Sequence, residues 1–105
     1  MDDREFNGLA DAALTRIEAA VEASGAAVDF ELQAGGVLEL EFADGSKIIV
    51  NRHGVAREIW VAARSGGFHF RWEGLAWCDT RDGEELMAKL SRLVSQQAGE
   101  DVKLA

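Results

Sequence analysis

Three groups of side chains in this 105-residue sequence are of types that do chemistry: carboxylates in its first third, one cysteine with two histidines, and a tryptophan among strand formers. Glu18 and Glu22 stand one helical turn apart, close enough to share a cation or its water shell. Asp11 falls within about 40° of them on the same helical face. Asp29 and Glu31 follow in an alternating segment that points both outward, beside that helix. Oxygen ligands select hard cations such as Ca²⁺, Mg²⁺, Mn²⁺ or iron, without choosing among them. An open cluster of this kind holds them weakly and several at a time. A solvated acidic face is the plainer reading, but few bases stand nearby to neutralise these acids, and like charges at this spacing destabilise a helix.

Cys78 with His53 or His69 would make a thiolate–imidazole pair if the fold brought them together, and nothing in their spacing requires that. One cysteine and two histidines sixteen residues apart match no zinc-ligand spacing. No glycine-rich loop offers a cradle for nucleotide phosphate. These residues argue against an enzyme. His69 lies between Phe68 and Phe70 and reads as a surface histidine. Trp60 lies between Ile59 and Val61, so alternation puts it on the opposite face, with Ile49, Asn51, Ala62, His69 and Arg71. There it is either a partner-buried anchor, as tryptophan often is, or an edge residue covered by a loop. Trp72 and Trp77 read as core or rim packing.

The charge of −8 is unevenly spread. Residues 1–44 carry eleven acids against two bases, a net of −9; residues 45–105 carry eight acids against nine bases, a net of +1. An acidic front half repels phosphate backbones and anionic lipid, which excludes nucleic acid and membrane surface as partners and favours cations and basic protein surfaces. The longest apolar run, Ile59 to Ala63, is five residues, far short of the ~20 of a membrane span. A single cysteine excludes an internal disulfide and fits a reducing compartment. With no basic stretch and apolar run at its start, the chain reads as soluble and cytoplasmic.

These groups must be positioned by a small set of elements. Phe6, Leu9, Ala10, Ala13, Ile17, Ala20 and Val21 recur at helical spacing, predicting a helix over about 3–23 that stops at Ser24-Gly25. From Val28 to Trp77 the period is two. VDFEL and VLELEF read as strands separated by Gly35-Gly36, Asp44-Gly45 as a two-residue hairpin turn into SKIIVN, and EIWVAA and FHFRW as strands joined at Ser65-Gly66-Gly67. A short sixth strand lies around Leu75 to Cys78. Asp82 as N-cap with Glu85 three residues on resembles a capping box that opens a last helix, whose buried face is Leu86, Leu90, Leu93, Val94 and Gln97 and which ends at Gly99. With no proline and no linker, residues 1–105 form one α+β domain. It is a two-layer sandwich, with two helices on one face of an antiparallel sheet of about six strands and the other face open to water.

Taken together, DREFNGLADAAL, GGVLEL, DGSKIIVNR, EIWVAA, GGFHF, the W-C-D-x-R-x-G-E segment and QQAGE resemble, in order and spacing, the bacterial branch of the frataxin family. The resemblance implies that same architecture and a non-enzymatic role in iron–sulfur cluster assembly. It implies weak surface binding of Fe²⁺ and Fe³⁺ along an acidic ridge that maps here to Asp3, Asp11, Glu18, Glu22, Asp29 and Glu31. It further implies docking on the cysteine desulfurase, work alongside the cluster scaffold protein, and sheet-surface contacts through Asn51, Arg52 and Trp60, which His69 and Arg71 would join. The expected state is a monomer without iron. The alternatives are a ferroxidase and iron store that oligomerises with ferric iron, or an interaction module whose metal binding is incidental. The chain departs from the branch where Ala19, Ala20, Ala23, Ala26 and Ala27 thin the ridge, which counts against high-stoichiometry iron loading. His53 and Arg71, in places where glutamine and an acid are common, make the open sheet face more basic.

Overall fold

The computed structural model describes residues 1–105. Helix α1 (Asp3–Ser24) is followed by strands β1 (Val28–Gln33), β2 (Val37–Phe42), β3 (Lys47–His53), β4 (Glu58–Ala63), β5 (Gly66–Trp72) and β6 (Trp77–Asp79), and then by helix α2 (Leu86–Ala98). The strands form one antiparallel meander in the order β1-β2-β3-β4-β5-β6, so β1 and β6 are its edges.

Alternation decides which side of the sheet is covered. Leu38, Leu40, Ile48, Val50, Ile59, Val61 and Phe70 share one face and are buried with Phe6, Leu14 and Ile17 of α1 and Leu90 and Leu93 of α2 in a single core cluster. Each such side chain contributes about 1.5–3 kcal/mol on leaving water. Both helices therefore lie on this face, and the other face has no cover.

Local signals fix the ends. The Asp2 carboxylate accepts the Glu5 N–H at 2.8 Å as the α1 N-cap, and Gly25 closes that helix. The last helix starts three residues later than its sequence suggests. Glu85 is its N-cap, accepting the Met87 N–H at 2.9 Å. Asp82 instead takes the Glu84 N–H and the Lys89 ammonium, both at 2.8 Å. Two hairpins also differ from expectation. Phe42 pairs with Ser46, leaving a three-residue loop, Ala43-Asp44-Gly45, in which Gly45 has φ +85° and the Asp44 carboxylate accepts the Ser46 N–H. An Asp-Gly pair fits a type I turn closed by a left-handed glycine as well as a two-residue turn. Ala63 pairs with Gly66, so the next turn is Arg64-Ser65 and both glycines belong to β5. Strand β6 begins two residues later than predicted, at Trp77.

The far end of α2 is tied to two hairpins by one side chain. Gln97 accepts the Arg64 N–H at 3.0 Å and donates to Ser46 Oγ at 3.0 Å and the Lys47 carbonyl at 3.3 Å. Beyond Gly99 the chain turns back along α2, where Ser95 and Ser91 accept the Val102 and Leu104 N–H groups.

Candidate functional site

The uncovered face is divided by charge. Its β1–β2 part carries Asp29 and Glu31 directly opposite Glu41 and Glu39. These four carboxylates line one shallow hollow. Asp29 and Glu31 thus point away from α1, across the edge strand from Glu18 and Glu22, rather than beside that helix. The acidic ridge is two clusters wrapped around the β1 edge. Glu39 and Glu41 were not among the residues the sequence singled out, although their alternation with Leu38 and Leu40 already placed them on this side. Lys47 is the one base among them: its ammonium sits 2.9 Å from Glu39. The hydrogen bond to Glu39, the charge of Glu39 and then those of Glu41 and Glu31 raise its pKa. Gln33 bridges Glu31 and Glu39 at 3.2 and 3.3 Å.

On α1, Glu18 is half-buried and Glu22 exposed, and neither makes an ion pair, while Asp3 and Asp11 are neutralised by Arg57 and Arg52. The two bases come from the second half of the chain, so the scarcity of nearby bases in sequence does not hold in space. Arg52 is thereby placed on the helix side of the sheet, not on the open face expected of it. Its neighbours Asn51 and His53 face the other way, as alternation requires. It reaches Asp11 by crossing Gly36, where a Cβ would lie 2.7 Å from Nε of Arg52 and where φ is +77°.

No three His, Cys, Asp or Glu side chains anywhere in the chain converge tightly enough to cage a metal ion. The donor set does fit a hard cation held at the surface by one or two carboxylates and water.

The β3–β5 part of the open face is built differently. Trp60 lies flat between two imidazoles. His53 is stacked at 3.8 Å between ring centroids and 16° between planes, and His69 at 4.3 Å and 9°. The indole is half-buried, with one of these rings on each of its faces. Beneath the stack is a residue that sequence reasoning missed. Glu58 is on the open face, yet only 9% of its side chain is exposed. Its Oε1 accepts Trp60 Nε1–H at 2.8 Å, its Oε2 accepts Arg71 Nη2 at 2.7 Å, and His69 Nδ1 is 3.7 Å away. Burial pushes the Glu58 carboxyl up, but the Trp60 and Arg71 hydrogen bonds and the charges of Arg71 and His69 outweigh it and hold it below the usual range. Asn51, Trp60 and His69 stand in register across three strands, with Arg71 opposite Glu58. Four of the five predicted partner-binding residues are therefore gathered here, and Arg52 is the exception.

Cys78 lies opposite Arg71 on β6, half-buried, with neither histidine as a hydrogen-bond partner. Trp77 is in the core, and Trp72 packs edge-on against it at 5.5 Å. An apolar cavity of about 380 Å³ between them and α1 touches none of the predicted site residues. No helix is long and apolar enough to cross a membrane.

Comparison with known proteins agrees with this geometry. Residues 1–100 match the frataxin-like domain family. The iron–sulfur cluster assembly protein CyaY of Dechloromonas aromatica is 70% identical over 104 residues, which are 99% of each chain. Among solved structures, the frataxin of Psychromonas ingrahamii superposes with a TM-score of 0.92 at 37% identity, over 100% of this chain and 99% of that one. Trimeric frataxin from Saccharomyces cerevisiae gives 0.68 at 26% identity, over 91% and 80%.

Proposed function

This chain belongs to the frataxin family, in its bacterial CyaY branch, and from that premise we propose that it serves iron–sulfur cluster assembly as a non-enzymatic, cytoplasmic iron-binding regulator that docks on the cysteine desulfurase and acts with the cluster scaffold. The observation that carries this reading is the pair of carboxylate clusters around the β1 edge, Glu18 and Glu22 on one side and Asp29, Glu31, Glu39 and Glu41 on the other, with Lys47 the only base among the second group. Such a surface takes up Fe²⁺ or Fe³⁺ weakly and is steered toward a basic partner by charge. Iron bound there changes the charge the partner meets, which is how iron supply reaches the enzyme. Within the ridge, Asp3 and Asp11 are secondary, because each already has an arginine.

An amide NMR titration with the desulfurase of the same organism, at low and moderate salt, tests the proposal. Perturbations on residues 11–31 and around Asn51 to Trp60 that fade with salt are expected. Spectra unchanged at both salt levels would overturn the docking. The Trp60 platform favours a second reading, an interaction module whose metal binding is incidental. On that reading Trp60→Arg abolishes docking, while Glu18→Lys with Glu22→Lys leaves it intact. A ferroxidase needs a defined di-iron geometry, which these spread carboxylates do not supply. The trimer formed by the yeast relative makes metal-driven oligomers the accompanying question, answered by sedimentation with and without Fe²⁺.

A further inference from the structure

We propose that the His53–Trp60–His69 stack with Arg71 is a proton-gated seat for a carboxylate-bearing segment of a protein partner. The inference deepens the docking reading above, by assigning a chemistry and a control to one half of the docking face.

Arg71 leaves 60% of its side chain exposed and His69 46%, whereas the only carboxylate in this half, Glu58, is turned inward and its two oxygens are occupied by Trp60 and Arg71. An incoming ligand therefore meets N–H donors around a flat aromatic ring. Donors of this kind recognise carboxylates, and the acidic β1–β2 half of the same face confines such a ligand to β3–β5.

The charge of this seat depends on pH. With both imidazoles neutral, Glu58 and Arg71 cancel; with both protonated, the seat carries two additional positive charges. Histidine makes this change between about pH 5 and 8. The groups facing the two rings are Glu58 from β4, Arg71 from β5 and the Cys78 thiol from β6, and no helix covers them. The two histidines are set differently. His53 Nδ1 accepts the Ala56 N–H at 3.2 Å, so protonation there breaks a local bond. His69 Nδ1 stands 3.7 Å from Glu58 and gains an ion pair. Each imidazolium keeps its stack through cation–π attraction to the indole, so the platform keeps its shape while its charge rises.

The probe is a blocked hexapeptide of alternating Glu and Leu, with its Lys–Leu counterpart as control. Each is titrated into the labelled chain at about 0.15 M salt, where charges beyond about 8 Å are screened. The Trp60 indole N–H and the imidazole signals of His53 and His69 are followed. At about pH 5.5 the acidic peptide should move these signals and bind at least ~3-fold more tightly than at about pH 8, the size of effect expected of two exposed charges. The lysine peptide should move β1 and β2 instead. The double variant His53→Gln with His69→Gln should bind the acidic peptide equally at both pH values. An acidic peptide that leaves the stack unmoved at both pH values, or that binds the wild-type chain equally at both, overturns the proposal without recourse to any variant. Pure peptide arms judge the seat apart from the desulfurase. Silence in the desulfurase titration would remove that partner and leave the peptide result to decide the seat.

Discussion

Lys89 and Asp79 meet beneath α2 with Nζ and Oδ2 3.0 Å apart and only 3% and 2% of their side chains exposed. The ammonium also reaches Asp82 at 2.8 Å and Glu84 at 3.2 Å and lies 4.9 Å above the Phe68 ring. Replacing one member strands the other away from water. Lys89→Met should cost about 3–5 kcal/mol of folding stability, read as a lower urea midpoint. A loss below about 1 kcal/mol would mean that Asp79 finds other partners.

Acid should unfold the chain from about pH 4 downward. At Asp79 and Glu58 burial works upward on the carboxyl but is outweighed, at Asp79 by the Arg81 N–H and Lys89 and at Glu58 by Trp60 and Arg71. At Asp82 the Lys89 hydrogen bond is the leading cause of the lowering. A carboxylate whose pKa falls on folding adds stability above its unfolded value, about 4, and loses it as pH drops through the folded value. Urea midpoints should be insensitive to these groups from neutrality to about pH 5 and then decline. For Lys89, burial pulls down but its three carboxylates pull harder, so the net shift is upward and its contribution persists until pH passes about 10.

Gln97→Ala should destabilise by about 1–3 kcal/mol, because it leaves the Arg64 N–H without its partner and unties α2 from two hairpins. Denaturant unfolding measures the loss. Hydrogen exchange should show faster opening at residues 64 and 47–48, and unchanged rates there would count against the tie.

If the ridge binds cations as proposed, divalent cations should raise the melting temperature by mass action, because the folded ridge would hold them in preference to the dispersed acids of the unfolded chain. A melting temperature unmoved by millimolar Ca²⁺ or Mn²⁺ would argue against any ridge site.

Arg52→Gln separates the ridge's charge from its packing. The Asp11 pair is exposed and worth less than about 1 kcal/mol, so stability without metal should barely change. The freed carboxylate should enlarge the Mn²⁺-induced rise in melting temperature. A smaller rise than in the wild-type chain would place Asp11 outside the cation site.

The period-two pattern and the helical spacing of Phe6, Ala10, Ile17 and Val21 made the layers and the open face legible from sequence, although Leu14, buried on the same face, was not singled out. Asp82 misled because a capping-box pattern is local, while the claim of Lys89 on that carboxylate is a tertiary contact. Arg52 was assigned to the open face although its neighbour Asn51 already occupied that side; strict alternation would have excluded it. Glu58 was invisible for a deeper reason. An acid at the start of a strand looks solvated, and its burial is produced by His53, His69 and Arg71 from two other strands. The neutralisation of Asp3 and Asp11 was equally hidden, because counting charge by segment says nothing of pairs formed across the chain.

Strand β1 has an unpaired outer side, and a free row of backbone donors and acceptors is a template on which another chain can add a strand. The carboxylates of Asp29 and Glu31 guard that row by like-charge repulsion against a second copy. Whatever neutralises them, whether protons or bound iron, also disarms the guard. If those residues collect the metal, as proposed above, they would also set how much of it the protein carries before copies join edge to edge.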